Sequence, residues 1–100
     1  MLKHIVMWKL KDFAEGKSKN ENAKEIKSML ENLKGRINEI EFIEVGININ
    51  DSVQSFDVVL YSEFKDEDDL EKYQKHPEHV KVGEFISKVR EDRVVADYML

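Results

Sequence analysis

The sequence has no cysteine, which excludes disulfides, thiolate nucleophiles and zinc–thiolate centres. That composition suits a reducing cytoplasm, the compartment expected for this chain. One proline and four glycines among 100 residues leave few breaks, so the order of elements can be read almost continuously. Low-complexity segments and internal repeats are absent. Long apolar runs are missing too: lysines interrupt Met1–Leu10 at Lys3 and Lys9, too early for a signal-peptide core or a spanning helix. No membrane association and no secretion are expected. Basic residues are scattered, acidic ones gather at Asp66-Glu67-Asp68-Asp69, and the net charge is −5. This leaves no electrostatic footprint for nucleic acid or anionic lipid.

What is present fits one domain over residues 1–100. A 41% apolar content supplies a single modest core, for which oligomer formation is a natural supplement. The periodicities predict β-α-β-β-α-α-β. A first strand over about Leu2 to Leu10 sets Leu2, His4, Val6, Trp8 and Leu10 on one face and Lys3, Ile5, Met7 and Lys9 on the other. A helix capped by Ser18 or Asn22, each followed by glutamate at capping-box spacing, carries the stripe Ala23, Ile26, Leu30, Leu33 and Ile37, and ends near Gly35. Strands over about Ile40 to Ile49 and Ser55 to Phe64 flank a polar link. Asp66 caps a short helix to about Lys75, Pro77 opens another carrying Val82, Phe85, Ile86 and Val89, and a last strand runs from about Arg93 to Met99.

This order is the α+β, ferredoxin-like arrangement, with a four-stranded antiparallel sheet covered by helices on one face. Apolar residues on both strand faces, Ile5, Met7, Val59 and Tyr61 among them, predict that a second copy covers the other face. Two sheets then close into a dimeric α/β barrel.

All three histidines fall where the fold can gather them: His4 in the first strand, His76 and His79 in the corner Lys75-His76-Pro77-Glu78-His79-Val80. With Tyr73 on the preceding helix they supply the parts of a small acid/base pocket. Imidazole titrates near pH ~6.5, which gives His79 the role of base. Tyr73 or His4 would polarise a substrate oxygen. Val6, Trp8, His76 and Phe85 are the other expected pocket residues. Each has a plainer reading: His4 as a satisfied strand histidine, Tyr73 as packing, His76 as a corner residue bonding free backbone groups. No metal is expected, since His76 and His79 lack a His-x-x-x-His partner or an acidic ligand pair.

The chain resembles the stress-responsive A/B barrel family, also called the Dabb domain, within the dimeric α+β barrel superfamily. The residues carrying the likeness are Lys3-His4-Ile5-Val6 with Lys9 and Lys11-Asp12, Tyr73 through Val80, and Asp97-Tyr98, and it spans nearly the whole chain. The resemblance implies a homodimer, no cofactor, and a role in stress response or small-molecule binding without an assigned reaction. One branch of the family contains polyketide cyclases, whose strand-one histidine, helix tyrosine and second corner histidine match His4, Tyr73 and His79. The alternative it implies is therefore a cofactor-independent enzyme, polyketide cyclase-like, isomerase or monooxygenase, acting on a small hydrophobic or polyketide-like ligand.

Overall fold

Alternation of apolar residues makes Leu2–Leu10 the central strand, β1, whose even-numbered residues are all buried and odd-numbered ones half-buried. The computed structural model describes residues 1–100. After β1 comes a two-residue hairpin, β2 (Phe13–Ala14) and β3 (Lys17–Ser18), which the periodicity did not predict. Its turn residues Glu15 and Gly16 both take positive φ, 51° and 76°, a conformation that glycine supplies without steric cost. Asn22 holds this hairpin to the next helix, its Nδ2 donating to the Ala14 carbonyl at 3.0 Å.

Helix α1 (Lys19–Glu31) starts at Ser18 with a reciprocal capping box. The Ser18 hydroxyl accepts from the Glu21 N–H at 3.2 Å and the Glu21 carboxylate accepts from the Ser18 N–H at 3.0 Å. The helix tightens into a 3-10 turn over Asn32–Gly35. Ala23, Ile26, Leu30, Leu33 and Ile37 are buried. Strands β4 (Phe42–Ile47) and β5 (Val58–Phe64) are shorter than their apolar runs. The ladder stops at the pair Ile47 and Val58, and side chains of Asn48 and Asn50 then accept backbone N–H groups in the connection.

Helix α2 (Glu67–Lys75) is capped by Asp66, whose carboxylate accepts from the Asp69 N–H at 2.9 Å. Three acidic residues in its first turn suit the helix dipole. Helix α3 (Pro77–Val89) has Pro77 in its first turn. It runs directly into β6 (Arg90–Met99), three residues longer at its start than the apolar pattern suggests.

The sheet order is β4-β5-β1-β6 and every pairing is antiparallel, the ferredoxin-like topology. All helices cover one face. The core there joins Val6, Trp8, Leu60 and Phe64 of the sheet to Ile26, Leu30, Tyr73 and Ile86 of the helices. Each such buried aliphatic side chain stabilises the fold by roughly 1.5–3 kcal/mol. The register sets His4 between Ser62 of β5 and Asp97 of β6. It thereby places the site.

Candidate functional site

His4 points inward because it shares the parity of Leu2, Val6 and Trp8. It is only 2% exposed. A buried imidazole needs partners, and the register provides one: His4 Nδ1 lies 2.5 Å from Asp97 Oδ1. Asp97 is 40% exposed, so its carboxylate keeps contact with solvent while holding the ring. With Nδ1–H donating to Asp97, Nε2 is the ring nitrogen left without a protein partner.

His79 occupies the first turn of α3 and is half-buried. Its Nδ1 donates to the Gln74 carbonyl at the end of α2, 3.1 Å away, which again leaves Nε2 without a protein partner. Burial holds its pKa below the ordinary histidine value, partly offset by the hydrogen bond to the Gln74 carbonyl, and the charges of His4, Arg93 and His76 lower it a little further. Near neutrality His79 is therefore uncharged and able to accept a proton.

These two histidines line one cavity of about 170 Å³, together with Val6, Trp8, Leu60 and Val82 among others. The structure thus brings His4, His79, Val6 and Trp8 to a common wall. Tyr73 stands one layer behind them and does not line the cavity. Its ring packs 4.4 Å from His79, 4.8 Å from Phe64 and 6.3 Å from His4, centroid to centroid. Its hydroxyl is buried with no hydrogen-bond partner, and burial pushes its pKa well above the ordinary phenol range.

Two expected pocket residues lie elsewhere. His76 does not line the cavity: its Nδ1 accepts from the Glu78 N–H at 3.1 Å and caps α3, so the backbone demand of the corner takes its ring. Phe85 also misses the cavity, since it packs part-buried against the core on another side of α3.

Sequence reasoning missed Asp97, Gly83, Arg90 and Arg93 as members or supports of the site. The last three line the cavity. Antiparallel pairing of the two outer strands in the sequence, with Leu2 opposite Met99, would have put Asp97 beside His4 and Arg93 beside Trp8. No group of three or more His, Asp or Glu side chains is arranged to hold a metal ion.

The model of the stress responsive A/B barrel domain family matches residues 2–100. The chain belongs to this family. No curated protein matches the Dabb chain. Among solved structures it is similar to a dimeric protein of unknown function with a ferredoxin-like fold from Bacteroides fragilis, at 37% identity, TM-score 0.88 and coverage of 99% of this chain and 95% of that one. It is also similar to an Arabidopsis thaliana protein, at 21% identity, TM-score 0.81 and coverage of 100% and 95%. A third likeness is to the hydroxynitrile lyase of Passiflora edulis, at 21% identity, TM-score 0.79 and coverage of 99% and 92%. At 21% identity the last two show the shared fold alone. No helix of this Dabb domain is long and apolar enough to cross a membrane.

Proposed function

We propose that this Dabb domain is a homodimer that binds a small organic molecule, without a cofactor, in the cavity between α3 and the inner sheet face. The observation carrying this reading is the cavity itself, an apolar wall of Val6, Trp8, Leu60 and Val82 with His4 and His79 set into it. Concave apolar surface with a few convergent polar groups is what retains small molecules. An apolar cavity of about 150 Å³ accepts a single benzene ring, so about 170 Å³ suits one ring or a short polyketide-like chain.

Support for the homodimer comes from the outer sheet face, where Ile5, Met7, Val94 and Ala96 surround a shallow apolar hollow. Dimeric relatives of the same fold point the same way. Closing two sheets face to face would cover this surface and protect the long edge strand β6.

A thermal-shift screen of single-ring and short-chain compounds, run on the wild type and on His79→Ala, tests the binding reading. Hits should raise the wild-type melting temperature and raise that of the variant less. Absence of any shift, or equal shifts in both proteins, would defeat it.

A second reading is favoured by the Asp97–His4 pair. A carboxylate that fixes Nδ1–H and stabilises an imidazolium turns Nε2 into a general base, and His79 offers a second, uncharged imidazole across the same cavity. The corresponding activity is proton abstraction next to a carbonyl, the step shared by aldol cyclases and isomerases. Deuterium exchange at the α-carbon of a bound β-keto ester, followed by NMR, should be faster than in buffer by about 10²–10⁴ and lose that advantage in His4→Ala. An unchanged exchange rate would remove the enzymatic reading and leave the binding one standing.

A further inference from the structure

In a chain with 21 acidic residues and net charge −5, the cavity is lined by two arginines and by no aspartate or glutamate. Arg93 sits opposite Trp8 in the β1–β6 ladder, on the sheet face that carries His4. Arg90 caps the end of α3, its backbone N–H donating to the Ile86 carbonyl, with its side chain at the same opening. Neither guanidinium takes part in an ion pair, whereas Arg36 is held by Glu78. Asp97, which supports His4 from outside the lining, is itself engaged by His4. Arg90 is half-buried and Arg93 exposed, so the charge stands at the rim and the apolar wall lies inside.

Gly83 adds a second observation. It occupies the interior of α3, where glycine is the poorest helix former after proline. A Cβ built on it would meet nothing within 4 Å, so close packing does not require its small size. It lines the cavity, and what its missing side chain provides is room.

We propose that the molecule held in this cavity is a small carboxylic acid, a single ring or a chain of about six carbons, with its carboxylate on Arg90 and Arg93 and its apolar end against Trp8, Leu60 and Val82. This assignment rests on the ligand-binding reading above and names the class of ligand. Guanidinium and carboxylate pair through two parallel charge-assisted hydrogen bonds, stronger than those between neutral groups. A neutral ligand would leave both arginines without a partner. The polar Ser87 and Gln74, also on the lining, offer hydrogen bonds to a hydroxyl or keto substituent on the acid.

Matched pairs of acid and amide test the assignment by isothermal titration: benzoate against benzamide and hexanoate against hexanamide, on the wild type, Arg93→Gln, Arg93→Lys and the double variant Arg90→Gln/Arg93→Gln. The wild type should bind each acid about tenfold or more tighter than its amide. That ratio should fall towards one in the double variant and partly persist in Arg93→Lys, which keeps the charge without the planar fork. Because the ratio is internal to each protein, and the amide reports whether the apolar wall is intact, partial unfolding cannot imitate the result. Equal affinity of acid and amide in the wild type overturns the carboxylate assignment while leaving the binding reading intact. An acid preference that survives in the double variant overturns the role of the arginines. Inorganic phosphate displacing benzoate with equal affinity would make the rim a general anion site and also overturn the assignment. If neither member of either pair binds the wild type, the binding reading fails and this inference falls with it.

Discussion

Asp97 sets the proton arrangement on His4, and removing it exposes a cost that can be measured. Asp97→Ala leaves the Nδ1–H of a 2%-exposed imidazole without its acceptor 2.5 Å away. A buried unpaired donor costs about 1–3 kcal/mol, and the lower half of that range is expected because water can reach the position of the half-exposed carboxylate. Asp97→Asn keeps an acceptor oxygen and should lose less, with urea unfolding at pH 7 as the check. Tyr73 predicts the opposite sign. Its hydroxyl is buried and unpartnered, so Tyr73→Phe should be neutral or stabilising by up to about 1 kcal/mol. A loss greater than that in the same unfolding experiment would mean that the hydroxyl finds a partner in solution. For His79, the folded pKa lies below the ordinary value because burial disfavours the cation. The unfolded chain, with a pKa of about 6.5, therefore binds the proton first as pH falls. Stability is complete above that pH and is lost as pH drops through the lower, folded pKa. His79→Gln should flatten this part of the stability profile relative to the wild type, and an unchanged slope would show that His79 is not its source.

At the scale of elements, Gly83 makes α3 pay in stability for space. Gly83→Ala should raise stability by about 0.5–1 kcal/mol, since the new methyl meets open space. Gly83→Leu should place its branch in the cavity and abolish binding of ring-sized ligands without lowering the melting temperature, which calorimetry and titration together would show. Most elements were legible because their signals are local: the Ser18 capping box, Asp66, Pro77 and the alternation of β1 each depend on residues within a turn or two. The β2–β3 hairpin escaped because two-residue strands have no periodicity, and only Glu15-Gly16 hinted at the turn. Site membership was harder for the same physical reason. His4, Val6 and Trp8 could be placed by parity along one strand, but Phe85 needed the rotation of α3 about its axis. Asp97 and Arg93 needed the β1–β6 register, which is fixed by pairing across more than 80 residues rather than by neighbours in sequence. His76 was drawn away from the cavity by a backbone N–H of α3 that its ring caps, a demand the corner motif announces but cannot rank against a ligand role.

For the whole molecule, the decisive question is what lies against β6. Its residues are exposed along almost its full length, with Val94 41%, Val95 50% and Met99 57% accessible, and β1 is its only sheet neighbour. Such a strand is a template for association. Ile5 pairs with Tyr61 on one side and Ala96 on the other, and Met7 with Val59 and Val94, so the outer face is apolar through its centre. Lys3, Glu63 and Tyr61 form a polar group at one end, with the Lys3 Nζ 2.8 Å and the Tyr61 hydroxyl 2.5 Å from the same Glu63 oxygen. Sedimentation should give a species of twice the 11.8 kDa chain mass at micromolar concentration, and Ile5→Asp/Val94→Asp should reduce it to the monomer; a monomeric wild type would sink the dimer. The same variant also reaches the pocket, although neither substituted residue lines it. Asp97 and Arg93 reach the inner face from β6, so loosening that strand by uncovering its other side should weaken the hold on His4 and lower ligand affinity. Full affinity in a folded monomer would instead show that the β1–β6 ladder alone keeps the site in place.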